Sequence, residues 1–377
     1  MPDGDAGGRL ELVVNARHLT GPRTGIEVYM ETLLRELARR GRVHITVLSW
    51  APLDLGLTGV REVVSARRPD FPQASLQATL WKLWFDQWGC LRSVPRKNGI
   101  LFHGMDGFLP FALRARDRCV ATVHDLGWQV HPELYSQRVR LMYRALFPWV
   151  VRRADRFIAV SRYTADDLVR RAGVPAARID VVHHGLDPLF TAPPGGMETG
   201  EAPPYVLAVG GVSPRKNTRR LIDAFTRWRE RGGRRRAYRL LITGTSLDSD
   251  FFRNGATPPE HVALLGYVDK TELPRLYAGA AAFLYPGIYE GFGLPILEAM
   301  ACGAPVVTST TGAAPEIAGD AAILVDPFDV TSIADGLERA TMPPEAARLR
   351  ALGRERVKQF DWDAAAAATE AVYRRLL

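Results

Sequence analysis

Two glutamates, Glu290 and Glu298, stand with seven residues between them in residues 285–305, YPGIYEGFGLPILEAMACGAP. The apolar run 280–285 before them reads as a buried parallel strand. A Gly/Pro-rich loop follows, and 294–301 has helical spacing. A strand, a glycine loop and a helix start aim backbone N–H groups and the positive end of a helix dipole at the loop, which favours a phosphate or diphosphate. Glu290 lies in the loop, and Glu298 lies one to two turns into the helix, where its carboxylate accepts hydrogen bonds from hydroxyls facing the same crevice. Two such acceptors beside an anion cradle suit a nucleotide sugar, one for the ribose diol and one for sugar hydroxyls. Taken alone, a glutamate pair on a βα loop is more often simply solvated.

Other parts of the chain must position this stretch. A second anion cradle is predicted where 205–209 (YVLAV) runs into Gly210, Gly211, Val212, Ser213, Pro214, Arg215, Lys216 and Asn217, with a helix from Thr218. Near the start, 10–15 reads as a buried strand, Gly21, Thr24 and Gly25 as a loop, and 26–39 as a helix. Residues 43–48, 100–103, 120–124 and 157–160 are further strands, and the run 120–124 ends at His124-Asp125, on the carboxyl edge where open α/β sheets place ligands. A lone histidine at a strand end is ordinarily structural.

The motif Glu-x7-Glu inside EGFGLPILEAMACGAPVV, trailed by Pro315-Glu316 and AAILVDP, resembles the retaining glycosyltransferases of family 4 over nearly the whole chain. The resemblance implies an α/β fold of two Rossmann-like domains facing across a cleft, the GT-B architecture. It implies a first domain over 1–190, a linker over 191–204, a second domain over 205–361, and a last helix, 362–377, crossing back to the first. It assigns a catalytic set of His124, Arg215, Lys216 and Glu290. TVHDL followed by HPELYS matches the pattern at the histidine facing the donor sugar, and Arg215 and Lys216 match the diphosphate-binding pair. Donor-binding positions carried over are Gly25 under the diphosphate, Gly211, Val268 at the nucleobase, Gly291, Phe292, Gly293, Leu294, and Glu298 at the ribose. His184 stands where asparagine is usual, which leaves its contacts open.

No Asp-x-Asp stands in a suitable loop, so no metal and no cofactor beyond the substrate are expected, with Arg215, Lys216 and the helix start at Gly293 taking the leaving diphosphate. HPELYS with PRKN looks like the mannosyltransferase branch and makes GDP-mannose the leading donor, with UDP- and dTDP-sugars open. The acceptor expected is a hydroxyl of a glycan, lipid-linked sugar or small molecule. A sugar-nucleotide epimerase of the same architecture and a non-catalytic nucleotide-sugar binder are the rivals. An epimerase needs several carboxylates near the sugar, and only Glu290 is so placed.

Composition bounds the rest. The 377 residues are 47% hydrophobic, enough for two cores of ordinary size. Three widely spaced cysteines, Cys90, Cys119 and Cys302, make neither a disulfide framework nor a metal cluster. The start, MPDGDAGGRLELVV, lacks the pattern of a signal peptide, so a cytoplasmic location is expected, with attachment to the inner face of the plasma membrane as an extension. The formal charge of +8 lies wholly in the first half, where 27 Lys/Arg face 19 Asp/Glu, against 22 and 22 in 191–377. That asymmetry suits an anionic membrane or acidic acceptor, while the dominance of Arg, 44 of 49 basic residues, has composition as an equal explanation. No nucleic-acid module is evident. In 81–96, Trp81, Trp84, Phe85 and Trp88 share one helix face, which reads either as core or as an interfacial helix flanked by Lys82, Arg92, Arg96 and Lys97.

Overall fold

The computed structural model describes residues 10–21, 25–71, 75–95, 99–191, 203–244 and 258–376. Thr24, Arg96, Lys97 and most of the expected linker lie outside the described residues. The strands are β1 (Leu10–Asn15), β2 (Val43–Ser49), β3 (Val60–Val64), β4 (Leu101–Gly104), β5 (Arg118–Val123), β6 (Arg156–Ala159) and β7 (Ile179–Val181), then β8 (Tyr205–Val209), β9 (Arg239–Thr243), β10 (Val262–Gly266), β11 (Ala282–Tyr285), β12 (Val306–Ser309) and β13 (Ala322–Val325). They form two wholly parallel sheets, ordered β3-β2-β1-β4-β5-β6-β7 and β10-β9-β8-β11-β12-β13. This is the expected pair of Rossmann-like domains.

Near-continuous apolar strands are the signature of sheets covered on both faces. In β1, Leu12 and Val14 pack with Tyr29, Leu33 and Leu37 of the helix Gly25–Arg40, while Val13 points the other way toward Phe85 and Phe102. In β8, Leu207 and its neighbours Val206 and Ala208 divide between two cores in the same way. β3 escapes a hydropathy reading because VREVV is a half-exposed edge strand with charges on its open side. The runs 100–103 and 120–124 are therefore the fourth and fifth strands, not the third and fourth.

Each sheet reverses its strand order at one point, between β1 and β4 in the first and between β8 and β11 in the second. Crevices at the carboxyl ends of such switch points are where ligands bind in open α/β sheets. The β8 and β11 ends carry the Gly210-Gly211 loop and the Glu290 loop; the β1 and β4 ends carry Asn15 to His18 and Met105-Asp106.

The last helix, Trp362–Arg374, packs on Gly25–Arg40, where Arg40 pairs with Glu370 at 3.1 Å and with Asp363 at 2.9 Å. Beneath it the Tyr373 hydroxyl lies 2.7 Å from His103 Nδ1, and His103 Nε2 lies 2.7 Å from the Thr122 hydroxyl, which meets Tyr29 at 2.9 Å. Burial pushes the His103 pKa down to about 3, so this enclosed chain is neutral.

Candidate active site

The helix Leu294–Ala301 begins at Gly293, whose φ of 100° is a left-handed backbone that a β-carbon would strain. The turn faces the end of β8, where Gly210 and Gly211 also take positive φ and Asn217 takes φ 58°. Asn217 is buried, and its amide donates to the carbonyls of Pro286 and Pro327, lacing the two loops together. Sequence reading passed over its role, although an asparagine, a residue type that tolerates the left-handed backbone, directly before a helix start in a cation-bearing loop is a usable signal.

Between the loops lies a compact charge cluster. Lys216 Nζ donates to Glu290 Oε1 at 2.8 Å and Arg215 Nη1 donates to Oε2 at 3.0 Å. Lys216 also donates to the Tyr285 hydroxyl and sits 4.6 Å from that ring's centre. Burial drives the Lys216 pKa down, with Glu290 opposing. Burial works to raise Glu290, but Arg215 and Lys216 overcome it and hold the carboxyl below its ordinary range. Two cations and one carboxylate leave one net positive charge for an anion at the glycine loops. Tyr285 was not singled out in the sequence, although it ends β11 and so points into the crevice.

Glu298 faces a different environment. Its Oε2 accepts from the Tyr277 hydroxyl at 2.9 Å, and burial raises its pKa to about 7 against that hydrogen bond. It lies in the second turn of the helix Leu294–Ala301, within reach of the charges of the Lys270–Asp187 pair. Val268, two residues before Lys270, is half-buried. A cavity of about 670 Å³ opens at Lys270, lined also by Val28, Arg35, Asp187 and Trp362 among others. Gly25 is exposed at the first turn of the helix that supplies Val28.

The first domain meets this loop at the end of β5. His124 Nε2 donates to the Met105 carbonyl at 2.8 Å, and the ring packs edge-on to Tyr29 at 4.8 Å. Burial lowers the His124 pKa, so the ring is neutral and its Nδ1 is left as an acceptor. A β-carbon on Gly291 would stand 1.7 Å from the His124 carbonyl oxygen, so glycine is required for the two domains to touch here. Around this point the Ser161 hydroxyl donates to the Gly291 carbonyl at 2.7 Å. The Tyr289 hydroxyl donates to Asp167 at 2.8 Å while accepting from the Leu126 N–H at 3.1 Å. Glu316 reaches across to accept from the Arg162 and Tyr163 N–H groups, at 2.9 and 3.2 Å, and sits 2.7 Å from His183. A carboxylate on a helix N-terminus is a favourable pairing.

Phe292 turns its ring away from the crevice into an aromatic box with His184, at 4.5 Å, and Phe360, at 6.0 Å. Its backbone alone remains for a ligand, which narrows the expected role. His184 is buried in that box, stacked on Trp362, and its Nδ1 has no partner among the described residues. Leu294 is half-buried at the helix start.

A second polar cluster occupies the first sheet's switch point. Asp86 accepts from Asn15 Nδ2 at 3.0 Å and from Arg17, whose guanidinium lies 5.5 Å over the Trp50 ring. His18 sits between Asp106, at 3.2 Å, and Glu27, at 3.4 Å. Burial lowers the His18 pKa, but the hydrogen bonds to Asp106 and Glu27 win and raise it to about 9. These residues flank Met105, the partner of His124. Nothing in their spacing marks them, because four separate segments supply them.

Residues 23–189 match Glycosyltransferase Family 4, and residues 197–356 match Glycosyl transferases group 1. O-antigen chain mannosyltransferase B of Escherichia coli is 32% identical over 299 residues, 73% of this chain and 74% of that one. The chain is a family 4 glycosyltransferase. Among curated relatives of this glycosyltransferase is also glycogen synthase of Mycobacterium tuberculosis, 31% identical over 67% of this chain and 62% of that one. The fold matches sucrose-phosphate synthase of Thermosynechococcus elongatus with a TM-score of 0.73 at 23% identity, over 98% of this chain and 99% of that one. It also matches Anabaena HepE in complex with UDP and glucose, with a TM-score of 0.70 at 19% identity, over 98% and 100%. No helix among the described residues is long and apolar enough to cross a membrane, and no group of three or more His, Cys, Asp or Glu among them is arranged to hold a metal ion.

Proposed function

We propose that the protein is a retaining, metal-independent hexosyltransferase that moves mannose from a nucleoside diphosphate sugar, GDP-mannose first among candidates, to a hydroxyl of a glycan or lipid-linked acceptor. The observation that carries the reading is the Glu290 bridge to Arg215 and Lys216, set against the His124–Gly291 contact between the domains. The similarity to mannosyltransferases of O-antigen chains and the fold shared with a UDP-bound structure support the donor class.

In this reading the diphosphate lies on the Gly211 and Gly291–Gly293 loops, with Arg215 and Lys216 stabilising charge as the sugar leaves. Glu298 accepts from the ribose hydroxyls, with the base toward Val268. Glu290 has both carboxylate oxygens engaged by cations, which makes it a poor nucleophile and a good orienter of sugar hydroxyls. That favours a front-face route in which the leaving phosphate takes the acceptor proton. His124 accepts from a sugar hydroxyl through Nδ1. The acceptor hydroxyl enters from the Arg17–Asp86 and His18–Asp106 side. An epimerase would need a further catalytic carboxylate beside Glu290 in the second domain, and the other acid whose charge reaches both Arg215 and Lys216, Asp125, belongs to the first domain and accepts from the Gly127 N–H.

A panel of nucleotide sugars screened by thermal shift identifies the donor, since a ligand at a hundred times its dissociation constant adds roughly 2.7 kcal/mol. The anomeric configuration of the product, read by NMR, tests retention. A product of inverted configuration would refute the front-face route.

A further inference from the structure

The helix Leu76–Gln87 has two different faces. Inward, Asp86 joins the polar cluster with Asn15 and Arg17, while Trp81 and Phe85 stack on each other and meet the Trp50 ring tilted and edge-on. Outward, Leu76, Leu80 and Trp88 are 72%, 56% and 50% exposed, and the half-buried Trp84 continues the same row at four-residue spacing. The aromatic stripe is thus neither wholly core nor wholly interfacial; its 81/85 pair is core and its 84/88 pair extends an exposed apolar ridge.

The helix Gln137–Arg153 lies alongside. Arg138 donates to the Thr79 hydroxyl at 2.6 Å near one end, and Trp88, Phe111 and Trp149 form a chain of ring contacts at 5.7 and 5.3 Å near the other. Its outward row is Arg138, Leu141, Arg144, Pro148 and Arg152, and the whole helix holds five arginines and no acid. Among the described residues nothing covers either row.

A contiguous exposed row of leucine and tryptophan marks a surface that meets something apolar. The arginine row beside it selects the occupant. A second copy docking this face on itself would bring like charges together in a self-complementary interface. An anionic leaflet instead offers phosphates to the arginines and an acyl boundary to the leucines, with tryptophan at the depth it prefers.

We propose that these two helices form a docking face for an anionic lipid surface. The face is independent of the donor chemistry. Because the same helix carries Asp86 on its inner side, it would bring a lipid-linked acceptor to the polar cluster, a link that rests on the proposed function.

The test is co-sedimentation of the full chain with phosphatidylglycerol-containing vesicles and with pure phosphatidylcholine vesicles. Wild type is expected to bind the first far more strongly, and less so as salt rises. Arg144→Gln with Arg152→Gln should weaken binding about thirtyfold, since each cation near an anionic leaflet contributes roughly fivefold. Leu80→Ser with Trp88→Ser should weaken it at unchanged charge. Both pairs should leave the melting temperature and nucleotide affinity in solution as in wild type, which separates failure here from failure of the transferase reading. Equal binding to both vesicles, or full binding by either pair of variants, would overturn the proposal. So would a wild-type dimer that Leu80→Ser with Trp88→Ser dissociates, since a second copy would then own the face.

Discussion

Replacing Gly291 by alanine puts one methyl group where the two domains touch. Its β-carbon would lie 1.7 Å from the His124 carbonyl oxygen and 2.9 Å from the Asp125 β-carbon, against 3.4 Å for ordinary contact. About 1.7 Å of room must therefore be made, and the obstacle is backbone at the end of β5, which cannot swing aside like a side chain. The compliant element is the domain interface. Opening it by that amount pulls the Ser161 hydroxyl out of reach of the Gly291 carbonyl, now 2.7 Å away, and carries His124 away from the Glu290 loop. A displacement of about 1 Å at a reacting centre costs on the order of a hundredfold in rate, so transfer should fall at least that much, about 2.7 kcal/mol of barrier. Steady-state transfer measured beside nucleotide affinity by calorimetry and thermal melting decides the matter. The expected pattern is lost turnover with nucleotide affinity and melting temperature near wild type, because the packed faces of both sheets are untouched. Wild-type turnover in the alanine variant would refute the reasoning, for the contact would then have no part in the active state. Collapse of nucleotide affinity as well would place the damage in the loop itself rather than in domain closure.

Lys216→Ala should depress kcat more than nucleotide affinity, because charge on the leaving diphosphate grows in the transition state; an unchanged kcat removes Lys216 from that role. Glu298 should make nucleotide-sugar affinity pH-dependent. Its raised pKa, about 7, means the carboxylate that accepts from hydroxyls forms only as pH rises through that value, so affinity should climb several-fold between pH 6 and 8. Glu298→Gln should flatten the profile, and an identical slope in the variant contradicts the assignment. His18 should govern alkaline stability. With its pKa raised from 6.5 to about 9, its contribution is fully present below pH 6.5 and is lost as pH rises through 9, on the order of 3 kcal/mol. The melting temperature should drop over that window in wild type but not in His18→Asn, and parallel curves would show that the cluster does not depend on this proton.

What the sequence determined by itself is local. Apolar runs gave the strands that flank each switch point, β1, β4, β8 and β11, with β2, β5 and β6 beside them, and the helix Leu294–Ala301 falls where its spacing and the glycine before it require, because those signals act within a few residues. The two strand–glycine turn–helix units that carry Arg215, Lys216 and Glu290 were legible for the same reason, each lying in one continuous segment. Tertiary structure alone decided which groups meet. Glu290 and Arg215 are 75 positions apart, and their pairing follows from β8 and β11 being neighbours at the switch point. Arg17, His18, Asp86 and Asp106 become one cluster only because the ends of β1 and β4 adjoin under the helix Leu76–Gln87. The same helix shows the limit of periodicity. Its spacing defines which residues share a face, but whether a face is covered depends on Trp50 and on the neighbouring helix, which periodicity does not encode.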